Sequence, residues 1–336
     1  MDIRKIAELT GFSKSTVSRA INDQPGINKS TRQKILKIID ELNYKPNQIA
    51  ISLTTRKTKI IGVIISDIEN PFYSRMIKGI GEVLEKADYN MMIINTFNDP
   101  AKEKKAIDLM IGKKVDGIIF SAIEKNTKNI SLIIRARIPC VSLDLEHDKY
   151  KEIDSVFTSQ FKTAENATDF LINKGHSSIC LIYPPDGLNK NNSDFCIGYL
   201  SAMGKSGIKV RKDLIIGCQP SIRDGYQIGL EVFKNKSITA VLTGDLLAYG
   251  LYMAAEQLNI RIPDDVAIFG NDDLEFSKIL VPGLTTTFQP KRKAGKIASR
   301  LLLNKINNRY SSPKHIEMNT RIIIRESVKT SDNRIP

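Results

Sequence analysis

From Ile60 onward, short β-branched and apolar runs alternate with amphipathic helical patterns, and this alternation restricts the possible folds more than any other feature. The stretches IIGVII (60–65), NMMIIN (90–95), DGIIF (116–120), PCVSLDL (139–145), SICLIY (178–183), AVLTG (240–244) and VAIFG (266–270) read as strands. Helical patterns fall at 74–87, 101–113, 163–174, 194–205, 225–235 and 246–259. Strands that are apolar throughout must be buried on both faces, which describes parallel sheets covered by helices. So many strands exceed one mononucleotide-binding unit, whereas two doubly wound subdomains accommodate them. Open sheets of this kind bind ligands beyond the carboxyl ends of their strands, here the cleft between subdomains.

The first 59 residues have a different texture. Twelve Lys and Arg against five Asp and Glu give them a net +7, while the other 277 residues carry 38 against 32, a net +6. A basic segment at one end is the footprint of a phosphate-backbone binder or, equally, of a solvated tail. Its apolar spacing is helical. Ile3, Ile6, Ala7 and Leu9 mark a first helix that Gly11 ends, with Phe12 plugging the turn. Ser13 can cap a second helix over 14–22, with Val17, Ala20 and Ile21 on one face. After the turn at 23–26, Ser30 or Asn28 can cap a third helix through Leu42, carrying Ile35, Leu36, Ile38 and Ile39. Pro46 ends this block, 47–53 could add two helical turns, and 54–59 is a polar, basic linker.

Two short helices joined by a glycine-containing turn form a helix-turn-helix, whose second helix lies in the DNA major groove. Lys14 and Arg19 can donate to guanine O6 and N7, and Ser15 can bond to either kind of base. Ser13, Thr16, Ser18, Asn22 and Thr31 are short polar side chains suited to phosphate oxygens. A plain helical bundle with a polar face fits the same pattern.

Other chemistries find little support. Cys140, Cys180, Cys196 and Cys218 are widely spaced with no CxxC, so they read as small buried hydrophobes in a reducing compartment rather than metal ligands or a disulfide framework. His147, His176 and His315 belong to no spaced motif, and GIGEVL (79–84) lies in a helical pattern and lacks a third glycine. No metal, cofactor or enzymatic activity is expected. No apolar run reaches the roughly 18 residues of a membrane span, and the N-terminus does not read as a signal peptide, so a cytoplasmic location is expected.

The stretch IRKIAELTGFSKSTVSRAINDQPGINKSTRQKILKIIDELNYKPNQIAISL closely resembles the head of the lactose-repressor (LacI/GalR) family of bacterial regulators. TVSRAIN, STRQKIL and ELNYKPN occur at the family's spacing; NPFYSRMIKGIGEVLEKADYNMMIINT, KKVDGIIF, NKGHSSICLI, PDDVAIFGNDD, GLTTTFQP and RIIIRES follow in family order. The resemblance implies a helix-turn-helix domain over 1–46, a hinge helix and linker over 47–59, and an effector-binding and dimerisation core over 60–336. That core would be of periplasmic-binding-protein type, with one subdomain at about 60–158 and 288–319 and the other at about 159–287 and 320–330. Crossovers between them are expected near 156–160, 286–289 and 319–323.

The resemblance further implies that Lys14, Ser15 and Arg19 read bases, and that Asn47, Ala50 and Leu53 lie on a hinge helix entering the minor groove with Leu53 as its wedge. A seven-residue helix is too short to persist alone, so DNA and a twin hinge would order it, and an inserted apolar side chain kinks a duplex. Ile51 stands where many relatives carry arginine. In the cleft, Phe72 and Tyr73 match a ring-stacking pair, Asp272 matches an acid that holds ligand hydroxyls or nitrogens, and Asn191, Gln219 and Asp144 are further candidates. Phe72 and Tyr73 can also be core aromatics, Asp272 can also cap a helix, and Asn191 and Gln219 can also be plain loop residues. The set suits a carbohydrate. Phe195, Gly244 and Ser159 depart from the family's frequent arginine, asparagine and aspartate. The expected partners are a palindromic double-stranded DNA operator, a small-molecule effector and a second copy of the chain, because one head reads half a palindrome. A transport-type sugar receptor is the competing binding module, though it has no use for a basic head.

Overall fold

The computed structural model describes residues 3–22, 25–44, 51–52, 55, 57–121, 127–143, 151–184, 193–307 and 312–329. The chain divides into two compact units, 1–59 and 60–336.

In the first unit, α1 (Ile3–Thr10), α2 (Lys14–Ile21) and α3 (Lys29–Glu41) close around Ile6, Ala7, Val17, Ala20 and Ile35. Gly11 follows α1 at φ +72°, a conformation glycine adopts without a Cβ penalty. Ser13 caps α2: its Oγ accepts the Thr16 N–H at 3.1 Å. For α3 the structure chooses Asn28, whose Oδ1 accepts the Thr31 N–H at 2.7 Å, while Ser30 Oγ donates to that same oxygen. Leu9 and Leu36, expected on core faces, are exposed.

The second unit holds two six-stranded sheets. Its elements are β1 (Ile60–Ile65), α4 (Pro71–Lys86), β2 (Asn90–Asn95), α5 (Pro100–Gly112), β3 (Gly117–Ser121), α6 (Thr127–Arg135), β4 (Cys140–Leu143) and β5 (Asp154–Phe157). Then come α7 (Gln160–Asn173), β6 (Ile179–Tyr183), α8 (Asp194–Lys205), β7 (Ile215–Gly217), α9 (Ile222–Val232), β8 (Ala240–Leu242), α10 (Asp245–Gln257) and β9 (Ala267–Asp272). Last are β10 (Thr285–Phe288), α11 (Lys291–Asn307), β11 (His315–Glu317) and β12 (Arg321–Ile323).

The first sheet runs β11-β5-β4-β3-β1-β2, all parallel. The second runs β12-β10-β9-β8-β6-β7, parallel except for the antiparallel edge strand β12. The chain passes between sheets at 158–159, 289–290 and 318–320, where β5 leads to α7, β10 to α11 and β11 to β12. An apolar layer covers each face of each sheet.

Two of the helix starts shift from the sequence expectation. Helix α4 begins at Pro71 because Asn70 caps it and proline suits the first turn, so Phe72 and Tyr73 lie inside the helix. Helix α9 begins at Ile222, capped by Ser221. Helices α6 and α11 had no sequence counterpart. Three helix pairs meet backbone to backbone: a Cβ at Gly79 of α4 would fall 2.1 Å from Arg292 O of α11, one at Gly250 of α10 would fall 2.1 Å from Ile222 O of α9, and one at Gly198 of α8 would fall 2.2 Å from Phe161 O of α7.

Candidate nucleic-acid interface and ligand cleft

Helix α2 buries Val17 and Ala20 and leaves Lys14, Ser15 and Arg19 exposed on the opposite side. Two cations and a hydroxyl on the outer face of a capped helix form a donor set matched to base edges. Ser13 is exposed and shares a 2.9 Å hydrogen bond with Thr16 Oγ1. Asn22 Nδ2 donates to Ser18 Oγ at 3.3 Å, so these two brace each other along the helix. Thr31 lies in the first turn of α3. The Gly26 turn (φ +96°) passes close to Arg19, whose Nη1 would sit 3.4 Å from a Cβ there. Asn47, Ala50 and Leu53 lie outside the described residues.

In the second unit, the first turn of α4 and the turn after β9 come together from different subdomains. Arg75 Nη1 donates to the Asp273 carbonyl at 2.7 Å, and its Nη2 lies 3.1 Å from Glu275 Oε2. Phe72 and Tyr73 lie three and two residues before Arg75 and pack edge to face, with ring centroids 5.0 Å apart. One ring face of Phe72 is covered by the Lys291 ammonium, 3.6 Å from the centroid, in a lysine only 3% exposed.

Asp272 ends β9 at φ +128° and caps no helix: the 3-10 turn that follows, Glu275–Lys278, has Leu274 at its N-cap. Its Oδ1 accepts from Gln289 Nε2 at 2.7 Å, and Gln289 Oε1 accepts from Thr158 Oγ1 at 2.7 Å. Thr158 and Gln289 are both buried and lie on two of the three crossovers. A chain of hydrogen bonds therefore joins Asp272 to the segments that connect the subdomains.

Beneath this turn lies Asp245, the fully buried first residue of α10. Its carboxylate accepts from Ser277 Oγ (2.5 Å), Thr286 Oγ1 (2.6 Å) and Leu274 N–H (2.8 Å). Burial nevertheless holds its pKa above the ordinary 3.8, against the opposing pull of those donors, and the Asp273 charge adds to the rise.

The departures from the family pattern have local explanations. Ser159 caps α7, its Oγ accepting the Lys162 N–H. Phe195 is half-buried against the core of the second subdomain. Gly244 is the N-cap of α10 without a side-chain bond, and nothing lies within 4 Å of where its Cβ would be. Gln219 is exposed past β7, an edge strand three places along the sheet from β9. Asp144 and Asn191 lie outside the described residues. Sequence reasoning did not single out Arg75, Thr158, Gln289 or Lys291. Gln289 was visible within GLTTTFQP, but a lysine after proline reads as a solvated residue.

Among the described residues no group of His, Cys, Asp and Glu could hold a metal ion, and no helix is long and apolar enough to cross a membrane.

A family model described as bacterial regulatory proteins, lacI family, matches residues 2–47, and one described as periplasmic binding proteins and sugar binding domain of LacI family matches residues 58–327. The HTH-type transcriptional regulator RegA of Clostridium saccharobutylicum is 32% identical, the match covering 97% of this chain and 98% of that protein. The HTH-type transcriptional repressor PurR of Pasteurella multocida is 31% identical over 98% of both. The structure of the Lac repressor dimer bound to operator and the anti-inducer ONPF shares the fold, with a TM-score of 0.86 at 22% identity over 98% of this chain and 99% of that one. A helix-turn-helix head and a two-subdomain core, each matched by its own model, place this chain in the LacI family of bacterial regulatory proteins.

Proposed function

We propose that the chain is a dimeric cytoplasmic repressor whose grip on a palindromic operator is set by a sugar or sugar derivative held at Asp272. The observation that carries this reading is the wiring of Asp272 through Gln289 to Thr158, which ties a ligand-facing acid to two crossovers. A ligand with different affinities for two arrangements of the crossovers shifts their populations, and operator affinity with them. Lys14, Ser15 and Arg19 supply base contacts, and Ser13, Thr16, Ser18, Asn22 and Thr31 line the phosphate path. Asn47, Ala50 and Leu53 enter the minor groove. Phe72, Tyr73 and Asp272 face the effector, with Asp144, Asn191 and Gln219 as outer contacts. The relatives named repressor and regulator support the regulatory role, and the sugar-binding description of the core family supports the effector class.

An apolar strip on the second subdomain supports a symmetric dimer. Ile222 and Met253 are exposed on the packed pair α9 and α10. Tyr252 donates to the Pro282 carbonyl beside Val281, which is 93% exposed, and Tyr249 packs on the exposed Phe276. Ile279 extends the strip. Exposed apolar side chains of this kind suit burial in a twofold interface.

Selection from a pool of randomised duplexes tests the reading. The expected product is a palindrome of about 14–20 base pairs bound with a steep salt dependence. Arg19→Ala and Lys14→Ala should each cost about 1–3 kcal/mol and relax choice at one base position. Enrichment of no palindrome would refute the proposal. A thermal-shift screen of sugars, sugar acids and nucleobases then identifies the effector, since a ligand of the native state raises its melting temperature.

A further inference from the structure

The turn that carries Asp272 is unusual in its backbone. Asp272 (φ +128°) and Asp273 (φ +49°) are consecutive non-glycine residues in a region side-chain-bearing residues rarely adopt. Such a turn persists only where its surroundings hold it. Four contacts do so from the crossover and the second subdomain. Gln289 holds the Asp272 carboxylate, and Arg325 Nη2 sits 2.6 Å from Asp273 Oδ1. Thr286 Oγ1 accepts the Asp273 N–H, and Asp245 accepts the Leu274 N–H. The Asp273 carbonyl is held from across the cleft, by Arg75 of α4, whose other terminal nitrogen reaches Glu275.

We infer that Arg75 is a positioning residue for the ligand acid: from the first subdomain it fixes the Asp272–Asp273 turn of the second, so that closing the cleft and aiming Asp272 are one event. This rests on reading Asp272 as a ligand contact. A guanidinium suits the task because its planar fork can hold a carbonyl and a carboxylate together, whereas an ammonium is a single point charge. The Glu275 side chain is 67% exposed, so that ion pair adds little, and the carbonyl bond to the turn carries the effect. The device also differs from simple closure by contact area, because it acts on the peptide next to the acid.

The test uses the full-length protein without added ligand. Hydrogen-exchange mass spectrometry follows peptides spanning 268–280, and small-angle scattering follows closure. Arg75→Ala should speed exchange at the Leu274 amide about tenfold, the loss expected for one charge-assisted hydrogen bond, and expand the scattering profile. Arg75→Lys should fall between, and Glu275→Gln should stay near the unsubstituted protein. Exchange in β6 and β8 serves as the control for general unfolding; if those strands also lose protection in Arg75→Ala, Arg75→Lys is the variant to read. Unchanged protection at 272–275 in a folded Arg75→Ala protein overturns the inference. So does equal loss in Glu275→Gln, which would assign the effect to the surface ion pair. Operator selection by the unsubstituted protein is scored separately, so failure here leaves the repressor reading standing and failure there does not depend on Arg75.

Discussion

Ser13 caps a helix and is proposed as a phosphate contact, and a single set of substitutions separates the two. Its Oγ accepts the Thr16 N–H at 3.1 Å, which is helix capping, and its exposed position at the start of α2 suits a phosphate contact. Removing an N-cap costs about 1 kcal/mol, which speeds local opening roughly fivefold. That is a large fraction of the stability of a head whose core has five buried residues. Ser13→Ala loses both roles, at about 1–2 kcal/mol per head, so a dimer loses about 2–4 kcal/mol of operator binding, or roughly 30- to 1000-fold. Ser13→Asp keeps the cap and favours the helix dipole, but sets a negative charge against the DNA. Hydrogen exchange at Thr16 should be fast in the alanine variant and near normal in the aspartate variant. Fluorescence anisotropy on the selected palindrome should show both binding weakly, the aspartate variant with a shallower salt slope. Aspartate binding equal to that of serine across the salt series would refute the phosphate contact. Unchanged Thr16 protection in the alanine variant would refute the cap.

Other perturbations probe the core. Gln289→Leu leaves Thr158 without its acceptor and Asp272 without its donor, and should lower stability by about 2–4 kcal/mol in urea unfolding followed by circular dichroism. Asp245 has a folded pKa raised above its unfolded 3.8, so the folded state retains a proton that the unfolded state releases. Its contribution is therefore greatest below the unfolded pKa and declines as pH rises toward the folded one. Asp245→Asn should flatten that part of the urea midpoint profile above pH 4, and an unaltered slope would show that Asp245 does not titrate there. Val281→Lys should yield a monomer by light scattering and weaken operator binding while keeping the folded circular-dichroism spectrum, because this side chain is almost wholly exposed in the single chain; the melting temperature should fall with loss of the partner.

The central strands were legible because burial on both faces leaves no polar positions to blur them: β1, β3 and β6 are buried almost throughout, whereas the three-residue edge strands β7 and β11 are only half-buried and had no sequence counterpart. Helix α11 was not legible, since its inner face is Ala294, Gly295, Ala298 and Ser299 with Leu302, a stripe too small in side-chain volume to stand out among its lysines and arginines. Helix α6 packs Ile130 and Ile133 inward but spans only nine residues. In the head, Val17 and Ala20 were readable as an inner face, and with them the outward set of Lys14, Ser15 and Arg19. In the cleft, Asp272 was visible at a strand end, yet Thr158 and Gln289 are 131 positions apart and share no local pattern. Their meeting is a property of the crossovers, which only the folded chain displays. Asn28 and Ser30 were equally good caps on paper, and the geometry of one turn decided between them.

The glycine contact between α4 and α11 has a mechanical consequence. Most helix pairs are separated by side chains that can change rotamer and absorb a small displacement. At Gly79 and Gly295 there is no such cushion, since a Cβ at Gly295 would meet Met76 O at 2.3 Å. Helix α11 starts two residues after Gln289, and α4 carries Phe72, Tyr73 and Arg75. The crossover at Gln289 is therefore linked to the helix that carries Phe72, Tyr73 and Arg75 through a contact of backbone on backbone. For the proposed effector response this means that a displacement of the crossover meets little give between α11 and α4.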